Sequence, residues 1–138
     1  AYALGSLRIE HALVVCGRDN LDEISTTAQT LIYEVRQGRV DKCEDISYEY
    51  FGFDRAIPGD LTGGDASYNA KIIIDILKGA SGTKSDIVLL NAAAAIFVAD
   101  KTEEKSILEG IKEGIGLAQD SIDSGKALEK LELLRSRS

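Results

Sequence analysis

The amino-acid sequence predicts an α/β fold, part of a central, mostly parallel sheet that carries an edge hairpin and is followed by four helices. Three patterns lead to that expectation. His11 to Val15 is a short, almost continuously apolar run, as in strands buried on both faces of a parallel sheet. Thr30 to Arg36 alternates in character and ends at Gln37-Gly38, which suits a two-residue hairpin turn because glycine accepts positive φ. Beyond residue 65, apolar residues recur at helical spacing in four segments separated by Gly or Ser. A chain of 138 residues is long enough to bury a sizeable core, and no repeat or linker divides it, so 1–138 is expected to form one domain.

Taken in order, Ala1-Tyr2-Ala3-Leu4-Gly5 reads as the last turn of a helix stopped by a C-cap glycine. That opening and the absence of any methionine lead us to expect a fragment of a longer protein. In the first hairpin strand Leu31, Tyr33 and Val35 face one way, and Ile32, Glu34 and Arg36 the other. Arg39 to Ile46 is the more polar return strand, whose charge suits a sheet edge. Tyr48 to Pro58 is a loop with three aromatics, Tyr50, Phe51 and Phe53. Only Arg55 supplies positive charge beside them, so packing onto the domain is a better reading than base stacking.

Asp65 reads as the N-cap of a helix from Ala66 to Lys78, with Ala66, Ala70, Ile73, Ile74 and Leu77 on its inner face and Gly79 at its end. Gly82 to Ser85 is expected to be a turn. Ile87 to Ala99 is apolar all round except for Asn91, which marks a central buried helix. Asn91 must then find partners, and a bond to a neighbouring loop is weighed above a ligand contact. Glu103 and Glu104 suit the start of the next helix, whose stripe is Ile107, Leu108, Ile111, Ile115, Ala118 and Ile122. Gly110, Gly114 and Gly116 lie within that helix with no strand before them, so they indicate close helix packing and not a dinucleotide loop. Ser124-Gly125 breaks the chain before a last helix carrying Ala127, Leu128, Leu131 and Leu134.

The net charge of −7, with no basic cluster, argues against nucleic acid or an anionic membrane as partner. No apolar run reaches the roughly 20 residues of a membrane helix and no secretory leader is evident, so a cytoplasmic location is expected. Cys16 and Cys43 make no metal pattern and are expected to be reduced thiols. His11, the single histidine, opens a strand, a place where a structural role outweighs a catalytic one.

The chemistry concentrates in the loop after the first strand. There, Asp22 and Glu23 stand side by side between Leu21 and Ile24. Paired acids in a loop are often only solvated surface charge. The alternative is a site for a hard divalent cation, since Mg²⁺ takes oxygen ligands and completes its shell with water and substrate phosphates.

Val14-Val15-Cys16-Gly17 followed by Asp22-Glu23-Ile24-Ser25 resembles the central motif of the anthranilate phosphoribosyltransferases. Gly63-Gly64-Asp65-Ala66 with Asn69-Ala70, Leu89-Leu90-Asn91-Ala92-Ala93-Ala94-Ala95, and Ile122-Asp123-Ser124-Gly125-Lys126-Ala127-Leu128 with Lys130-Leu131 agree with it in order and spacing, from about Leu4 to Arg135. The resemblance covers only the C-terminal part of such an enzyme. It implies the C-terminal fold shared by these transferases and nucleoside phosphorylases. It implies transfer of phosphoribose from phosphoribosyl pyrophosphate to anthranilate, in tryptophan biosynthesis, by a homodimeric enzyme. It also implies Mg²⁺ as cofactor, with Glu23 touching both ions and Asp22 one of them. The family's phosphate loop, donor-binding lysine and asparagine, anthranilate-binding arginine and helical dimerisation domain have no counterpart here, so no catalytic or substrate-binding residue is assigned and the chain alone is expected to be inactive. Thr62-Gly63-Gly64-Asp65 matches a later, structural segment of the family and is rejected as a phosphate site. Cys16 stands where the family often has histidine, and Ala28-Gln29 where it often has Gly-Pro; neither change removes a ligand. The competing readings are a nucleoside phosphorylase-like or transferase-like paralogue and a non-catalytic interaction module.

Overall fold

The computed structural model describes residues 1–42, 45–100 and 105–137, so Cys43, Glu103 and Glu104 lie outside the described residues. The elements are α1 (Tyr2–Ser6), β1 (His11–Gly17), β2 (Thr30–Arg36), β3 (Arg39–Lys42), α2 (Pro58–Leu61), α3 (Ala66–Leu77), α4 (Thr83–Ala99), α5 (Ile107–Asp123) and α6 (Lys126–Arg135), with a 3₁₀ turn at Tyr48–Phe51. The α/β class holds. The sheet among the described residues has the order β1-β2-β3, and both of its pairings are antiparallel. β1 lies against β2 with His11 opposite Arg36 and Gly17 opposite Thr30. The parallel pairing and two-faced burial expected from the apolar run of β1 are not found among the described strands, where β1 is half-buried with Cys16 exposed. The predicted hairpin is present, and Ile46 rejoins β2 through reciprocal backbone bonds with Thr30 of 2.8 and 2.9 Å.

β2 is the central strand. Ile32 and Val35, on opposite faces, are both fully buried. Ile32 faces the helices in one cluster with Ile24, Ile46, Tyr48, Leu90, Ala93, Ala94, Phe97, Ile107 and Ile111. On the same face, Glu34 binds His11 Nε2 at 2.9 Å and Arg36 Nη2 at 2.8 Å, and His11 meets the Phe97 ring edge-on at 4.9 Å. His11 is therefore a structural residue at the sheet–helix boundary. On the other face, α1 crosses the hairpin. Gly5 lies inside this helix and does not end it; a Cβ there would come within 2.8 Å of Val40 Cγ2 and 3.0 Å of the Gly38 carbonyl oxygen.

Asp65 caps α3 as predicted, its carboxylate accepting from the Tyr68 N–H at 2.8 Å. The buried face of α3 is Ile72 and Ile76, whereas Ile73 is exposed. Three consecutive isoleucines allow two overlapping stripes, and of the expected one Ile73 is exposed while Ile74 and Leu77 are half-buried. α4 begins at Thr83, so the expected turn reduces to Gly82, whose φ is +123°. Ser106 opens α5 with a capping box to Glu109. Phe51 and Phe53 pack onto the core as expected, but Tyr50 is exposed.

α4 and α5 meet closely through glycines. A Cβ on Gly110 would enter the Phe97 ring, and one on Gly114 would lie 2.5 Å from the Ala93 carbonyl oxygen and 2.9 Å from its Cα. Gly116 faces open space and takes no part in this packing. Gly114→Ala should therefore destabilise, because overpacking against backbone costs about 1–3 kcal/mol and exceeds the helix-propensity gain. Gly116→Ala should raise stability by up to about 1 kcal/mol. Thermal melts of the two variants should move in opposite directions.

Candidate functional site

The loop between β1 and β2 opens at Gly17. A Cβ at this position would collide with Asp19 Oδ1 and sit 3.2 Å from Ser25 Cβ, so glycine lets the loop fold back on itself. Asp19 is the centre of that fold. Its Oδ1 accepts from the Leu21 N–H at 3.2 Å, an Asx turn, and its Oδ2 accepts from the Ser25 hydroxyl at 2.6 Å and from the Thr27 hydroxyl. Ser25 Oγ in turn accepts from the Thr27 N–H at 2.9 Å, and Thr30 Oγ1 accepts from the Ser25 N–H at 2.9 Å. Ser25, Thr27 and Thr30 are buried, so these bonds satisfy polar groups that water does not reach, whereas the buried Thr26 Oγ1 has no hydrogen-bond partner. Burial acts to raise the Asp19 carboxyl. The hydroxyls of Ser25 and Thr27 and the Leu21 amide outweigh it and hold Asp19 below the ordinary carboxylate range.

The outer side of the loop is tied twice more. Arg18 makes a bidentate pair with Asp45 at 2.7–3.0 Å, and Arg55 Nε donates to the Thr27 carbonyl at 3.2 Å. On the inner side Asn91 is bonded to this loop, the structural option weighed from its position on an apolar helix. Its Oδ1 accepts from the Ile24 N–H at 2.9 Å, while its Nδ2 donates to the Ile24 and Ile87 carbonyls, both at 2.9 Å.

Asp22 and Glu23 occupy the segment between these anchors. Asp22 is exposed and Glu23 half-buried. Burial raises the Glu23 carboxyl above its ordinary range, and the nearby charges of Asp22 and Asp19 raise it further. Glu23 also borders an open cleft of about 260 Å³ between α2, α3 and α4, whose walls include Ile72, Ile76, Ile87 and Lys84. Among the described residues no group of three or more His, Cys, Asp or Glu side chains is placed to hold a metal ion, so these two carboxylates do not form a closed cage. They do fit a cation that takes one or two protein carboxylates and fills its remaining positions with water and phosphate oxygens. The Gly64 N–H donates to Asn69 Oδ1 at 2.8 Å.

Asp19 is not among the residues singled out from the sequence, where only the adjacent acids draw attention. A signal is present, an aspartate two residues after a strand-ending glycine with Ser25 and Thr27 following at a short interval.

The "Glycosyl transferase family, a/b domain" model matches residues 1–128, and the chain belongs to this family. The resemblance drawn from its motifs is borne out by relatives that carry the name anthranilate phosphoribosyltransferase. That of Acetivibrio thermocellus is 48% identical over 136 residues, covering 96% of this chain and 36% of the relative. That of Methanosarcina mazei is 42% identical over 136 residues, covering 99% and 35%. Among solved structures, the Thermus thermophilus enzyme superposes with a TM-score of 0.71 at 32% identity, covering 88% of this chain and 34% of that one. The Saccharomyces cerevisiae enzyme in complex with PRPP and Mg gives 0.71 at 25% identity, covering 87% and 33%. The chain thus spans about 36% of the length of the curated relatives it matches.

Replacing Asp19 by Ala should strip two buried hydroxyls of their charged acceptor and cost about 1.5–3 kcal/mol. The folded-state pKa of Asp19 lies below its unfolded value, so its contribution is present above about pH 3.9 and is lost as the pH falls through the folded value. Urea unfolding of both proteins should show the full difference at pH 6 and a shrinking one below pH 4.

Proposed function

We propose that this chain is part of an anthranilate phosphoribosyltransferase, which transfers phosphoribose from phosphoribosyl pyrophosphate to anthranilate, and that it supplies the acidic loop that binds Mg²⁺. The observation that carries the reading is the placement of Asp22 and Glu23 at the carboxyl end of β1, on a loop braced by Asp19 on one side and Asn91 on the other. The family membership and the names of the relatives support it, as does the Mg-bound complex of the yeast relative.

In this reading Asp22 and Glu23 hold the cation. Bound Mg²⁺ supplies charge neutralisation and orientation for the departing pyrophosphate. The chain's own part is to keep two carboxylates close together before any ligand arrives. Burial and the charges of Asp22 and Asp19 raise Glu23, and a bound divalent cation would offset that repulsion. Asp22 is exposed to solvent, whereas Glu23 is half-buried at the border of the cleft. The bracing means the pair need not be ordered at the moment of binding, which is what preorganisation contributes to charge stabilisation.

β1 ends the described sheet, and an apolar groove formed by Leu13, Val15, Ile24, Ala94, Ala95 and Val98 adjoins it. We place the remaining, mostly parallel part of the sheet at this edge in the longer protein. Residues 1–138 act as one structural unit of that enzyme, which is homodimeric and cytoplasmic. No helix among the described residues is long and apolar enough to cross a membrane.

Loss of anthranilate fluorescence with phosphoribosyl pyrophosphate and Mg²⁺ tests the reading. The chain alone should be silent, and mixing it with the remainder of a relative such as the A. thermocellus enzyme should restore turnover. Replacing Asp22 and Glu23 together by Ala should lower that turnover by about 10² or more, since metal-borne charge stabilisation is worth several kcal/mol. Turnover by the chain alone, or full turnover by the double variant, would contradict the assignment.

A further inference from the structure

Asn91 is the one strongly polar residue in the Ile87–Ala99 stretch of α4, and its hydrogen bonds to the β1–β2 loop are directed at a single residue. That residue is Ile24, which directly follows Glu23 and has its side chain 1% exposed in the main core cluster. Because Asn91 Oδ1 takes the Ile24 N–H and Nδ2 meets the Ile24 carbonyl, it fixes the peptide planes on both sides of Ile24. One of those planes is the Glu23–Ile24 peptide. Its orientation, together with the buried Ile24 side chain, sets the direction in which Glu23 leaves the backbone. The third bond, to the Ile87 carbonyl one turn back, holds the amide itself in place on the helix. Asp19 acts elsewhere, on Leu21, Ser25 and Thr27, so it does not duplicate this restraint.

Resting on the metal-loop reading above, we infer that Asn91 is a positioning residue, whose side-chain amide sets the divalent-cation affinity of the Asp22-Glu23 pair without touching the ion. Groups that orient a metal ligand from behind typically change affinity 10–100-fold when removed. The effect expected here is at the low end, about tenfold, because Asn91 acts through the backbone and not on the carboxylate.

Mn²⁺ is the probe, titrated into the isotopically labelled 138-residue chain while amide line broadening is followed by NMR. In the wild-type chain, broadening should centre on Asp22 and Glu23. Asn91→Ala should need about ten times more Mn²⁺ for the same broadening. If that variant does not fold, Asn91→Ser replaces it, since its hydroxyl can still donate to the Ile87 carbonyl but is too short to reach Ile24; the same loss is expected. Ile111→Val, a fully buried core change on α5, should lower the melting temperature and leave Mn²⁺ affinity unchanged. Equal Mn²⁺ affinity in the wild-type and Asn91 variants would overturn the inference while leaving the acidic-loop reading intact, and so would an equal loss in Ile111→Val. No selective broadening at Asp22 and Glu23 in the wild-type chain would instead overturn the acidic-loop reading itself.

Discussion

A side-chain amide on an apolar helix is expensive unless it is bonded, and an irregular loop above a core has backbone groups that face the same demand. In this chain each requirement answers the other. Asn91 and Ile24 exchange hydrogen bonds in both directions, joining the apolar helix α4 to the loop that carries the paired acids. Leaving either group unpaired at a partly buried site would cost about 1–3 kcal/mol, so the register between α4 and the loop is strongly fixed. The layering follows from there. Ile24 enters the core beside Leu90, Ala93 and Ala94, and α5 closes over α4 where Gly110 and Gly114 admit it.

The loop has a second source of order that owes nothing to α4. Asp19 gathers Leu21, Ser25 and Thr27 around one carboxylate, and it can sit there only because Gly17 has no side chain. The two carboxylates with no such network, Asp22 and Glu23, are thus presented by a segment pinned at both ends. A braced loop with a pair of close negative charges is poorly suited to be ordinary surface. Burial raises the Glu23 carboxyl, and the charges of Asp22 and Asp19 raise it further. In the proposed reading, a bound cation would offset both effects.

Much of this is legible in the sequence because it depends on local chemistry. The alternation of Thr30–Arg36 and the Gln37-Gly38 turn point to the hairpin, Asp65 to a cap, and Asn91 to a buried amide in search of a loop. What cannot be read there is set by partners distant in sequence. Whether β1 pairs parallel or antiparallel depends on which strand lies next to it, and Ile72 or Ile73 faces inward on α3 according to where α4 and α5 stand. Gly5 looks like a helix end in the sequence because the hairpin it touches, at Gly38 and Val40, lies more than thirty residues away. Asp19 is inconspicuous for a different reason. Its importance comes from three contacts converging on one carboxylate, and composition in a loop gives no sign of convergence.

The central claim is that the acidic loop is ordered by the protein itself, before any metal or phosphate is present. Residue-resolved amide hydrogen exchange on the metal-free chain tests it most directly. The N–H groups of Ile24, Ser25 and Thr27, bonded to Asn91 Oδ1, Thr30 Oγ1 and Ser25 Oγ, should be protected to nearly the level of Ile32 and Val35 in the central strand. Exchange of those three amides at the rate of an unstructured chain, with β2 still protected, would mean that the loop is assembled only by its ligands and would contradict the account.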